Sequence, residues 1–245
     1  MSTNKPTSTA ERARAALQQQ QRAERRRSLL VVAAVVAVLA VIGGITYFAI
    51  SRQDTTGQAV TDSGTPRNTD GYAVLVGDAD APLTMKFYED PQCPICQQFE
   101  AAVGEQVQTA IADGKVQVAY HVVSFLDDAS ENEYSSRAAN ALYVVADAAG
   151  PDVFAKYHSL LYENQPAEHT AGPDDEQLIA WAVEAGADED AVRPGIEDKV
   201  FEQFVTNATD QMSKDGVNGT PGVFIDGEMQ PDPGTAVNAV LQAIQ

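Results

Sequence analysis

Cysteine is nearly missing from this 245-residue chain: there are two, Cys93 and Cys96, three positions apart. A small secreted scaffold stapled by disulfides carries several pairs at varied spacing, so that class is excluded. A zinc ribbon lacks its second ligand pair, and His121, His158 and His169 form no ligand-like cluster, so neither a metal nor another cofactor is expected. Basic residues are short as well, 16 against 35 acids, for a net charge of −19. Such a surface repels nucleic acid, which excludes that partner class, and the acidity reads as solvation. There is no internal repeat.

The few bases are unevenly spread. Lys5, Arg12, Arg14, Arg22, Arg25, Arg26 and Arg27 precede Leu29 with only Glu11 and Glu24 among them, leaving nine bases against thirty-three acids beyond Ile50. Between these regions, Leu29 to Ile50 runs for 22 residues without a charge. At about 1.5 Å per residue that run spans the roughly 30 Å apolar core of a bilayer. The arginine cluster before it predicts a cytoplasmic tail over residues 1–28 and an extracytoplasmic remainder. Tyr47 and Phe48 fall where an interfacial anchor lies. A cleaved signal peptide has a shorter apolar core of about 7–15 residues and a small-x-small exit, and this segment has neither, so an uncleaved single-pass anchor in the cell membrane is expected. Residues 51–70 are rich in Gly, Ser, Thr and Pro and read as a flexible linker.

From Gly71 onward the pattern is that of an α/β domain, residues 71–245. Strands are predicted over 72–76 and 83–88. The second runs through Glu89-Asp90-Pro91-Gln92 into Cys93-Pro94-Ile95-Cys96 and a helix to about Ala112, with Phe99, Val103, Val107, Ala110 and Ile111 on one face. Lys115–Ser124 alternates as a strand, which completes a βαβ unit. Helical periodicity follows over 132–149, 152–164, 174–185 and 196–214, an insertion of about 127–216. Residues 222–226 and 228–230 read as a hairpin and 235–244 as a last helix.

A C-x-x-C pair that opens a helix after a strand carries chemistry. The free N–H groups of the first helical turn and the helix dipole stabilise a thiolate on the first cysteine, so Cys93 is expected to be the reactive sulfur, with Cys96 less exposed. Pro94 suits the first helical position, where it costs no hydrogen bond. A stabilised thiolate is a good leaving group and makes the disulfide oxidising. A structural disulfide, half of a metal site shared with a partner and two inert core cysteines are the competing readings, and the strand–CPIC–helix setting favours redox activity.

Together, Phe87-Tyr-Glu-Asp-Pro-Gln-Cys-Pro-Ile-Cys-Gln-Gln-Phe99, the Asn132-Glu-Tyr-Ser-Ser-Arg-Ala-Ala-Asn-Ala-Leu142 segment and Gly219-Thr-Pro-Gly-Val-Phe224 resemble the DsbA family of thioredoxin-fold proteins, in its membrane-tethered actinobacterial form. The resemblance covers residues 71–245. It implies a thioredoxin-like fold with a helical insertion behind one N-terminal transmembrane helix. Thr220-Pro221 is expected as the cis-proline turn that faces the cysteines and pairs with extended substrate, with Pro94, Ile95, Asp90 and Glu89 supporting the site. It further implies a disulfide oxidase for exported cysteine-containing proteins, reoxidised by a membrane partner of the DsbB or VKOR type. Many relatives carry a buried acid six residues before the first cysteine, where this chain has Phe87. A reductase or isomerase is the alternative within the class, and a membrane-tethered peptide-binding or chaperone module the alternative outside it. His121 is expected to be packed or half-exposed, His158 and His169 to be surface or capping residues, and Trp181 with Tyr134, Tyr143, Tyr157 and Tyr162 to pack within the insertion.

Overall fold

The computed structural model describes residues 64–245. The tail over 1–28, the apolar segment 29–50 and the linker up to residue 63 lie outside the described residues. Among the described residues no helix is long and apolar enough to cross a membrane.

The chain order is β1 (Thr69–Asp70), β2 (Ala73–Val76), β3 (Leu83–Glu89), α1 (Pro94–Ala112), β4 (Val116–Val122) and a 3₁₀ turn (Asp127–Ala129). The insertion helices α2 (Tyr134–Ala149), α3 (Pro151–Glu163), α4 (Asp175–Ala185), α5 (Glu189–Glu197) and α6 (Glu202–Lys214) come next. β5 (Gly222–Ile225), β6 (Glu228–Met229) and α7 (Pro233–Ala243) close the fold. The strands form one sheet in the order β1-β2-β4-β3-β5-β6. β3 and β4 are parallel at its centre, as the crossover through α1 requires, and the other pairs are antiparallel.

Strand alternation sets the faces. Met85, Phe87 and Glu89 point to one side of β3 and are buried there; Phe87 stands edge-on to Phe99 of α1 and Tyr120 of β4 at 5.3 and 5.7 Å between ring centres. Phe99, Val103, Val107 and Ala110 turn the buried stripe of α1 toward the sheet. The insertion extends the same core through Leu142, Phe154, Leu161 and Leu178. Asp174, Asp188 and Asp232 cap α4, α5 and α7 by accepting a backbone N–H three residues on.

Two expectations need correction. The helix predicted over 196–214 begins only at Glu202: the chain turns at Lys199, which has a positive φ of 50°, and a separate helix that was not predicted, α5, lies before that turn with Pro194 inside it. Asn140 of α2 fixes the break, donating to the Gly195 carbonyl and accepting from the Phe201 N–H. The linker also ends earlier than residue 70. Thr69–Asp70 pairs with β2, Arg67 forks onto Asp147 at 3.0 and 3.1 Å, and Asn68 donates to the Ala146 carbonyl.

Candidate active site

The site assembles where β3 ends. Cys93 is the N-cap of α1 and Pro94 its first residue, as the sequence predicted. Cys96 lies one turn inside and is fully buried, while 5% of Cys93 remains exposed. Both are free thiols. The Thr220–Pro221 peptide is cis, and the Thr220 carbonyl accepts from the Cys93 thiol at 3.5 Å. Gly222 follows because nothing larger fits: a Cβ there would meet Val217 at 2.5 Å and Tyr88 at 3.3 Å. Ile95 and Phe125 are exposed large apolar side chains, and Leu126 packs against the cysteine pair with Tyr162 of α3.

The two sulfurs are electrostatically unlike. Cys93 is pushed down to about 6, first by the hydrogen bond from the Cys96 thiol, then by the neighbouring Thr220 and the amides of Cys96 and Ile95, with burial opposing. Cys96 is pushed well above its ordinary value by burial and by the charges on Cys93 and Glu89. A thiol lowered in the folded state stabilises the reduced protein above that value and loses its contribution as pH falls through it. The disulfide form has no such group. Reduced protein is therefore expected to gain stability over oxidised protein between pH 6 and 9, by about 1.4 kcal/mol per pH unit at the steepest. Urea unfolding of both redox forms across that range measures the gain; a flat difference rules out a lowered Cys93.

Asp90 holds the loop in place. It is fully buried and accepts from the Gln92, Phe125 and Leu126 amides at 2.8, 2.9 and 3.1 Å and from the Ser135 hydroxyl at 2.7 Å. Burial pushes its carboxyl up to about 6 against those donors. The Cys93 N–H bonds its backbone carbonyl at 2.9 Å. From the insertion, the Gln165 side chain donates to the Pro91 and Cys93 carbonyls at 2.8 and 3.0 Å.

Glu89 is also buried, with one carboxylate oxygen 3.0 Å from His158 Nε2. His158, expected at the surface, is 1% exposed, which corrects that reading; it also stands between the rings of Tyr120 and Tyr162. Its Nδ1 faces Glu100 at 3.9 Å. Burial holds Glu89 and Glu100 up at about 8 and pushes His158 down. The residue pattern gave no expectation of this cluster. Its three residues offer ligand atoms within 4.8 Å of one another and are where a cation would be held. His169 is exposed, and His121 stacks on Tyr88 at 4.4 Å with its pKa lowered to about 4 by burial, both as expected. Trp181, Tyr134, Tyr143 and Tyr157 pack into the main core as predicted, whereas Tyr162 packs against the cysteine pair instead, which corrects that expectation.

A CPIC turn at the mouth of a βαβ unit, facing a cis-proline loop, defines a thioredoxin-fold dithiol protein. Residues 69–243 match the thioredoxin family ("Thioredoxin"). Reduced DsbG of Mycobacterium tuberculosis, a disulfide bond oxidoreductase, is 32% identical, with a TM-score of 0.62 over 71% of this chain and 88% of that one. Oxidised DsbA of the same organism is 32% identical, with a TM-score of 0.60 over 70% and 92%. The serine/threonine-protein kinase PknE of M. tuberculosis is 34% identical over 163 residues, 64% of this chain. The chain spans only 29% of that kinase's length. It belongs to the thioredoxin family and, within it, is a DsbA-like thiol–disulfide oxidoreductase.

Proposed function

We propose that this protein is a disulfide oxidase for exported cysteine-containing proteins, tethered to the cell membrane by residues 29–50 with its dithiol domain on the outer side. The unlike sulfurs carry this reading: a lowered Cys93 is a good leaving group from a mixed disulfide. A substrate thiolate attacks Cys93 Sγ, the Cys93–Cys96 bond breaks and its electron pair goes to Cys96. A second substrate thiolate then attacks the substrate sulfur of the mixed disulfide and expels the Cys93 thiolate. The substrate loses two electrons and two protons, and the enzyme is left as a dithiol. Reoxidation falls to a quinone-linked membrane partner of the DsbB or VKOR type, which the anchor keeps in the same plane.

Reduction or isomerisation uses the same sulfurs in reverse. The DsbG and DsbA neighbours are equally similar to this chain, so likeness favours neither direction. A glutathione redox equilibrium decides. An oxidase is expected well above the roughly −270 mV of thioredoxin and to oxidise a dithiol peptide stoichiometrically. A value at or below thioredoxin's, with no peptide oxidation, reassigns the protein as a reductase.

A further inference from the structure

Glu89, Glu100 and His158 come together where β3, α1 and α3 pack, and they bring two carboxylates to one imidazole. Glu89 and His158 are buried, and only 7% of the Glu100 side chain is exposed. Among the described residues, His158 is the one basic group within ion-pair distance of either carboxylate. The rings of Tyr120 and Tyr162 flank the imidazole, and no lysine or arginine does. Buried carboxylates are held by a matching cation or by a metal, because an unpaired charge in an apolar interior costs far more than a lost hydrogen bond.

The spacing is that of a set of ligands. His158 Nε2 lies 3.0 Å from Glu89, the other ring nitrogen lies 3.9 Å from Glu100, and one ligand atom from each residue lies within 4.8 Å of the other two. Two ligands of a four-coordinate zinc ion, each about 2.0–2.2 Å from the metal, stand roughly 3.3–3.6 Å apart, so a swing of the Glu100 carboxylate by about an ångström closes the set. A second observation points the same way. Glu89 Oε1 and His158 Nδ1 are buried without a hydrogen-bond partner, and a cation that draws lone pairs from the cluster accounts for them. Access exists as well. Glu100 lines an open groove of about 410 Å³ between α1 and α3 that also carries the exposed Glu105 and Glu163 and has no lysine or arginine in its lining. A cleft lined by one sign of charge concentrates ions of the other.

We propose that Glu89, Glu100 and His158 form a binding site for a zinc-class divalent ion, reached from the groove between α1 and α3. The donor set selects the class. Ca²⁺ takes about six to eight oxygen ligands and Mg²⁺ keeps several of its waters, whereas an imidazole nitrogen beside carboxylates suits Zn²⁺ and its transition-metal neighbours. Sequence spacing hid the site, because its ligands come from one strand and two helices, with Glu89 and His158 69 residues apart. For the same reason its consequence is mechanical: the ion pins α3 of the insertion to β3 and α1 of the dithiol core. The site is independent of the direction of electron flow at Cys93 and Cys96.

The test is a calorimetric titration of the oxidised full chain with Zn²⁺ in excess Mg²⁺, so that the sulfurs are tied up as a disulfide and the acidic surface is already screened. One Zn²⁺ per chain is expected to bind, and free Zn²⁺ at about a hundred times its Kd to raise Tm by about 5–10 °C. X-ray absorption at the zinc edge should show one imidazole among oxygen ligands, and Co²⁺ in place of Zn²⁺ should give visible bands without sulfur-to-metal charge transfer. Glu100→Gln and His158→Ala are each expected to weaken binding about a hundredfold or more. Glu163→Gln, on the same groove but outside the ligand set, should stay within about threefold of wild type. Glu100→Gln keeps the size of the side chain, so lost binding with an unchanged circular dichroism spectrum is loss of a ligand rather than of the fold. No saturable binding, or Zn²⁺ affinity equal in wild type, Glu100→Gln and His158→Ala, overturns the site. Neither result touches the reactivity of Cys93, so the dithiol reading stands or falls separately, on oxidation of the dithiol peptide.

Discussion

Replacing Cys96 by alanine is expected to turn a transient intermediate into an accumulating one: covalent adducts between Cys93 and substrate proteins, stable until thiol is added. Only two sulfhydryls exist in the chain, so no third cysteine can resolve the adduct. The lowered Cys93 remains nucleophilic because the Ile95 and Cys96 backbone amides stay in place, although the donor thiol of Cys96 is gone. Its pKa should therefore rise toward the ordinary value while the sulfur stays reactive. Cys93→Ser is the opposite case. A hydroxyl neither exchanges with disulfides nor leaves as a stable anion at neutral pH, so dithiol oxidation should fall on the order of a thousandfold or more, to background. Non-reducing gels of extracytoplasmic extracts after acid trapping read the first result, and oxidation of a dithiol peptide reads the second. A peptide-binding or chaperone module working without turnover predicts full function in Cys93→Ser and no adducts in Cys96→Ala. That pair of results would sink the enzymatic reading.

The parts of this site that lie close together in sequence were legible, because local rules act on local spacing. Alternation over Leu83–Glu89, proline at the first helical position and apolar residues at three- and four-residue intervals suffice to place Cys93 and Cys96 at a strand-to-helix turn. The buried cluster of Glu89, Glu100 and His158 was not legible, since its members come from three elements up to 69 residues apart. A signal did exist. His158 lies on the stripe Phe154, Tyr157, Leu161 and Tyr162, and Glu100 beside Cys96, Phe99, Val103 and Val107. A titratable residue inside an apolar stripe is buried by its own helix, whatever its preference for water. Glu89 follows the same rule on a strand, two residues after Phe87 on the same face. With an aromatic ring filling the position six residues before Cys93, the buried acid of this chain stands nearer the cysteine turn. The missed break between α5 and α6 has another origin. Pro194-Gly195 reads as a helix boundary, yet the proline is held inside α5 and the turn comes at Lys199, where the side chain of Asn140, distant in sequence, supplies the partners the backbone loses.

Asp90→Ala is expected to be the most destabilising polar substitution in the domain, by about 3–5 kcal/mol. The carboxylate accepts from three backbone amides and one hydroxyl that belong to three separate segments: the CPIC turn through Gln92, the loop after β4 through Phe125 and Leu126, and α2 through Ser135. Alanine leaves all four donors without a partner in a site closed to solvent, and the loss outweighs the cost of burying one carboxylate. Asn keeps the shape and one acceptor oxygen, so Asp90→Asn should lose about half as much, and Ser135→Ala only about 1 kcal/mol. Chemical denaturation of the three variants orders them, and a Tm drop of roughly 10 °C accompanies the alanine change in a domain of this size. Function should follow stability here, because the Asp90 backbone carbonyl also receives the Cys93 N–H at 2.9 Å. Once the clamp is gone, the turn that aims the Ile95 and Cys96 amides at the sulfur loosens and the Cys93 thiolate loses its stabilisation. The ultraviolet thiolate absorbance of Asp90→Ala should accordingly titrate above the wild-type midpoint near 6. An unshifted midpoint in a destabilised variant would show that the clamp holds the fold together without shaping the nucleophile.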